Sequence, residues 1–202
     1  MDDALHWAGT GSAADEADSL AERPAAAEDP DAALVARARA DPARFLALYE
    51  RHFARVHRYV RLRLPDRASA EDVTSEVFLT ALAKLAEFRG EGSFGAWLLR
   101  IAQNAARATR RARPPSTLDC EALELPDAAP GPEEQALSHE RTDELRRLLA
   151  SLKEDQQDLI ALRYGAGLPY EEIAAVLGMS SGAARVAVHR LLSELRERYD
   201  HD

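Results

Sequence analysis

The chain has 202 residues, room for one ordinary domain or two small ones. Forty of them are alanine, aromatics make up 6%, and Lys84 and Lys153 are the only lysines beside many arginines; strong helix formers with few β-branched residues favour an all-α fold over a sandwich or barrel. The single cysteine, Cys120, excludes an internal disulfide framework and a multi-cysteine zinc site.

No apolar run approaches the roughly 20 residues a bilayer span needs. The first thirty residues carry acids where a secretory signal would carry basic residues and an apolar core. The expectation is a cytoplasmic protein with no membrane insertion, no metal and no cofactor.

The formal charge of -9 conceals a partition. Residues 1–31 sum to -8, residues 32–113 to +8, residues 114–144 to -8 and residues 145–202 to -1. An acidic whole does not suggest a polyanion as partner, but a cationic block between two acidic segments does.

In chain order, residues 1–31 are poor in large apolar side chains and read as a disordered acidic tail. Such a tail would either solubilise the chain or compete with nucleic acid for the cationic block. A first helical module follows over 32–113. Phe45, Tyr49, Phe53, Val56 and Val60 fall on one apolar helix stripe, opposite Arg44, Arg51, Arg55 and Arg58. Ser69, with Asp72 three places on, gives a helix-capping signal. Val73, Val77, Ala81, Leu85 and Phe88 continue as a second buried stripe, beside a partly acidic face of Asp72, Glu76 and Leu79.

After the break at Arg89 to Ser93, a third helix has Phe94, Leu98, Ile101, Ala105 and Ala108 as its expected core side and ends before Pro114. Its second stripe is Trp97, Arg100, Asn104, Arg107 and Arg111, an aromatic ring, an amide and three guanidiniums on one face. That set suits nucleic acid: arginines neutralise phosphates, the ring stacks on an unpaired base and the amide reads a base edge. A solvated arginine face with Trp97 serving as packing fits the spacing equally well; the surrounding charge favours the first reading.

Pro114, Pro115, Pro126, Pro130 and Pro132 among acids mark a flexible linker over 114–136. Residues 114–144 could extend to about 100 Å at most. The second helical module spans 137–202. Leu145, Leu148, Leu149 and Leu152 form one stripe, and Leu159, Ile160 and Leu162 lie in a helix stopped at Gly165 to Gly167. Small Ala174, a turn at Gly178 and Ser180 as cap of a longer helix make a helix-turn-helix pattern, with Ala184, Val188, Leu191 and Leu195 inward. Ser181, Arg185 and His189 then point outward for the major groove, with Arg190 placed for phosphate. A plain αα-hairpin is the simpler alternative.

Both modules together resemble a known family. Leu48 to Val60, Ala70 to Phe78 and Phe94 to Asn104 are similar to region 2 of bacterial sigma factors of the extracytoplasmic-function group. Leu162 to Tyr164, Tyr170 to Ala174, Leu177 to Gly182 and Val188 to Arg190 are similar to region 4. The resemblance implies two small helical domains, a region 2 bundle and a region 4 helix-turn-helix, that bind core RNA polymerase and direct initiation at promoter DNA. It implies that Asp72, Glu76 and Leu79 dock on the clamp helices of the β′ subunit. It implies further that Ser93, Trp97, Arg100, Asn104, Arg107 and Arg111 capture the unwound minus-ten element, that the helix from Ser180 reads the minus-thirty-five element, and that an anti-sigma factor clamps both domains.

Two other functions stand beside it. One is a helix-turn-helix regulator that never joins polymerase. The other is an all-helical magnesium-dependent nucleotide hydrolase using Glu71, Asp72 and Glu76. Gly178 to Gly182 also matches a hydrolase nucleophile elbow, but that elbow must follow a β-strand and Tyr170 to Leu177 has helix period. The expectation is a protein that is not an enzyme and has no catalytic residue.

Overall fold

The computed structural model describes residues 29–90, 92–112 and 148–199, and all of its regular elements there are helical. The expected tail up to residue 28, the linker over 114–136 and Leu145 lie outside the described residues. Helix α1 is Ala32–Ala40, followed by a 3₁₀ turn, Pro42–Phe45, whose start is capped by Asp41 accepting from the Ala43 amide. Helix α2 is Leu46–Arg63, α3 is Arg67–Ala83 and α4 is Phe94–Ala112. Helix α5, Glu154–Ile160, runs on into a π turn, Ala161–Gly165; α6 is Tyr170–Leu177 and α7 is Ser181–Tyr199.

Local chemistry sets these boundaries. Helix α3 starts two residues before Ser69: Asp66 is its cap, accepting from the Ser69 amide at 2.7 Å, while the Ser69 side chain is buried. This corrects the capping role expected of Ser69, because a carboxylate at position 66 reaches the orphan amide first. Between α6 and α7, Gly178 adopts φ +71° and the Met179 amide donates back to the Ala174 carbonyl, a closure that needs a left-handed residue at the turn. Ser180 caps α7 by accepting from the Ala183 amide.

The stripe drawn through α2 from its apolar residues is rotated from the face actually buried. Leu48, His52, Val56, Tyr59, Val60 and Arg63 face inward, whereas Tyr49 and Phe53 remain 36% and 38% exposed. In α4 the inward set is Phe94, Leu98, Leu99, Ala102, Gln103 and Ala106; Ile101 and Ala105 sit at its margin and Ala108 is exposed. The inner face of α7, Ala184, Val188, Leu191 and Leu195, is the one expected.

The three described residues ahead of α1, 29–31, are tied into the fold. Asp29 accepts from the Phe94 amide at 2.9 Å and so caps α4, and Asp31 is buried against His52 at 2.7 Å and Arg51 at 3.0 Å. The acidic segment therefore yields to folded chain by residue 29.

Helices α2, α3 and α4 enclose one part of the core, and α6 and α7 close over another around Leu168, Ile173 and Val188. A single apolar cluster runs through both, because α2 packs on the π turn and α4 on α6. Gly165 permits that approach: a Cβ there would meet the Leu62 side chain at 2.7 Å and the Arg58 carbonyl at 3.2 Å. Arg58 Nε donates to the Gly165 carbonyl at 3.1 Å across the same seam.

Candidate nucleic-acid and polymerase-binding surfaces

Three surfaces carry the residues singled out in the sequence. On α4, Ser93 accepts from the Ala96 amide and helps start the helix. Trp97 is half-buried, its ring 5.3 Å from Phe88 and 5.5 Å from Phe94, so a three-ring cluster fixes it with one side left to solvent. Arg100, Asn104 and Arg111 are exposed. Gly90 and Gly92, in the loop before Ser93, have φ +77° and +94°, so this loop bends where side chains are disfavoured.

Arg107 departs from that exposed row. Its guanidinium bonds Asp155 at 2.6 Å and Asp158 at 2.6 Å and 2.8 Å, both carboxylates from α5. Burial works against its charge, yet these carboxylates hold it still more firmly protonated than a free arginine. No feature of the local spacing distinguishes Arg107 from Arg100 or Arg111, because its partners lie some fifty residues away.

On α3, Asp72 and Glu76 are exposed and Leu79 is 68% exposed. The apolar character around Leu79 is wider than the sequence suggested. Leu82 follows one turn later, and Tyr49 and Phe53 of α2 sit against Phe78, with Tyr49 edge-on at 4.7 Å. Exposed aromatics resting on a firm base, beside carboxylates, leave a partly apolar patch on this face.

On α7, His189 and Arg190 are exposed, and Ser181 is half-buried at the first turn. Arg185 lies over the Tyr170 ring at 5.0 Å, with Arg163 also over that ring at 4.6 Å, so the tyrosine at the start of α6 ties α7 to α6. Val186, 50% exposed between Arg185 and His189, was absent from the expected reading set. An apolar side chain there is suited to a thymine methyl group.

The carboxylates considered for magnesium do not converge. Among the described residues no three His, Cys, Asp or Glu side chains gather to hold a metal, and Glu71 pairs with Arg67 at 2.7 Å instead. A helix, α6, precedes Ser180, so the hydrolase-like string has no strand behind it.

Comparison with known proteins agrees with both modules. Residues 48–114 match sigma-70 region 2, and residues 142–195 match sigma-70 region 4. The sigma factor ShbA of Streptomyces griseus is 40% identical over 150 residues, 69% of this chain and 78% of that protein. The chain belongs to the extracytoplasmic-function sigma factors of the sigma-70 family.

The sigma-E factor of Escherichia coli K12 is 35% identical over 79% of this chain and 89% of its own length. Among solved structures, CnrH, in complex with the cytosolic domain of CnrY, aligns with TM-score 0.66 and 26% identity over 86% of this chain and 99% of that one. The sigma factor RpoE of Bartonella quintana shares the fold with TM-score 0.57 over 78% of this chain and 98% of that one. This sigma factor directs RNA polymerase to promoters, and neither the polymerase-independent regulator nor the nucleotide hydrolase is favoured. Among the described residues no helix is long and apolar enough to cross a membrane.

Proposed function

We propose that the three surfaces divide promoter recognition between them. The face of Asp72, Glu76 and Leu79, widened by Tyr49, Phe53 and Leu82, docks on the clamp helices of the β′ subunit of core polymerase. Ser93, Trp97, Arg100, Asn104 and Arg111, with Arg107 once it is released, hold the unwound minus-ten strand: the ring stacks on a base and the guanidiniums take phosphates. Ser181, Arg185, Val186, His189 and Arg190 read the minus-thirty-five duplex through the major groove. The domains work as 32–113 and 137–202, in the cytoplasm, with no catalytic chemistry of their own. An anti-sigma factor that grips both domains is the regulator expected; RpoE of Bartonella quintana is solved in complex with the anti-sigma factor NepR.

The observation that carries this reading is the presence in one chain of a cationic helical module with a half-exposed tryptophan and a helix-turn-helix. One suits a single strand and the other a duplex. Nuclease footprinting with and without core polymerase tests it. Two protected patches that require polymerase, with unpaired thymines in the downstream one, are expected. A palindromic footprint made by the protein alone would replace it with a polymerase-independent regulator.

A further inference from the structure

The seam between the two modules is built around a carboxylate. Asp158 of α5 has no exposed surface, and its partners among the described residues all come from the other module. Tyr59 of α2 donates to Oδ1 at 2.8 Å, and Arg63 Nε of α2 lies 2.5 Å from the same oxygen. From α4, Gln103 donates to Oδ2 at 2.9 Å and Arg107 donates to it twice, at 2.6 Å and 2.8 Å. Beside it, Gln157 accepts from Arg63 and Arg110. Burial and then the Asp158 carboxylate push the Tyr59 hydroxyl well above the usual phenol range, so Tyr59 stays a donor.

A buried charge held by four groups of the opposite module is a latch in the physical sense. Lost coulombic energy on opening is largely offset by rehydration of both signs of charge, so such a contact fixes geometry more than it adds net stability. Opening does not strand any of these groups, since each is strongly hydrated in water. Removing one partner while the modules stay closed does strand the rest. Arg107 gives the latch a consequence: the guanidinium that a phosphate would use is occupied by Asp158 and Asp155.

We infer that the free protein closes on itself through Asp158, and that this clasp withholds Arg107 from nucleic acid until the two modules part. The stretch between them, residues 113–147, is long enough to allow separation, with an upper limit of about 120 Å at full extension. Closure is a two-state element that polymerase, by binding the modules at separate places, biases towards the open form. That last step rests on the reading of the chain as a polymerase-bound promoter reader; the clasp itself does not.

Two variants of the full chain open the seam in different ways. Asp158→Asn removes the charge at nearly constant shape. Gly165→Val drives the π turn off Leu62 and Arg58 and leaves every charge in place. Small-angle scattering is expected to show a larger radius of gyration for both. Affinity for a fluorescent single-stranded oligonucleotide is expected to rise severalfold in both, and Arg107→Gln added to either should remove most of that rise. Circular dichroism checks that helix content is kept, and if one variant unfolds the other still decides the matter. Unchanged radius and unchanged affinity in a folded variant overturn the clasp, even if the protein directs transcription normally. An open, tighter-binding Asp158→Asn protein that supports no transcription would leave the clasp standing and overturn the promoter reading instead.

Discussion

At the scale of single residues, the polar groups inside the core decide what acid does to the fold. His52 is buried with Asp31 at 2.7 Å. Burial lowers its pKa from 6.5, outweighing the pull of Asp31, and Arg51 and Arg55 add to the lowering. Burial also lowers His57, which stacks on Phe53. A histidine whose folded pKa is depressed takes up its proton more readily when unfolded, so stability is full above about pH 6.5 and declines as pH falls below it. Urea midpoints measured from pH 7.5 to pH 5 should decline accordingly, and His52→Gln should flatten part of that decline. An equally steep profile in the variant would show that His52 is not the source. Trp97 makes a second test. Trp97→Ala should lower the yield of melted promoter roughly tenfold, the range of one lost base stack, and Trp97→Phe should recover much of it. Permanganate reactivity of unpaired thymines measures both.

At the scale of elements, the helices and their order were legible because α3, α4 and α7 keep a regular apolar period and are broken by proline or glycine. The misreading of α2 has a definite cause. Its buried face includes His52 and Arg63, whose polar groups are met there by a hydrogen bond with Asp31 and an ion pair with Asp158, 21 and 95 positions away in sequence. A pattern of apolar residues cannot reveal such partners, so it places Tyr49 and Phe53 in the core although both are partly exposed. The carboxylate partners of Arg107, Asp155 and Asp158, are hidden from local spacing for the same reason. Leu79 is exposed and contributes little to the core; the proposed docking role makes it the residue to test. Leu79→Asp should leave thermal unfolding nearly unchanged and weaken core-polymerase binding roughly ten- to a hundredfold, the loss of one buried leucine, as measured by fluorescence anisotropy. At the turn between α6 and α7, Gly178→Ala places a side chain at φ +71° and should cost about 1 kcal/mol of stability by denaturant titration.

At the scale of the whole molecule, charge segregation visible in the sequence becomes a surface design. A cationic half is bounded by acids, and carboxylates from outside it fold onto it: Asp29 caps α4, Asp31 holds His52 and Arg51, and Asp158 gathers Tyr59, Arg63, Gln103 and Arg107. The sequence indicated the two modules and their partners; it did not indicate that they pack on each other, because the polar residues that join them across the seam are scattered singly through α2, α4 and α5. Compact and latched, the protein is poorly arranged to span two promoter elements, and polymerase supplies the scaffold that would hold its modules apart. The most direct measurement is run-off transcription on genomic fragments with sigma-free core enzyme. Discrete transcripts that appear only when this protein is added, and that fade with Leu79→Asp, are the predicted result. A folded protein that binds no core enzyme and yields no start site on any fragment would contradict it.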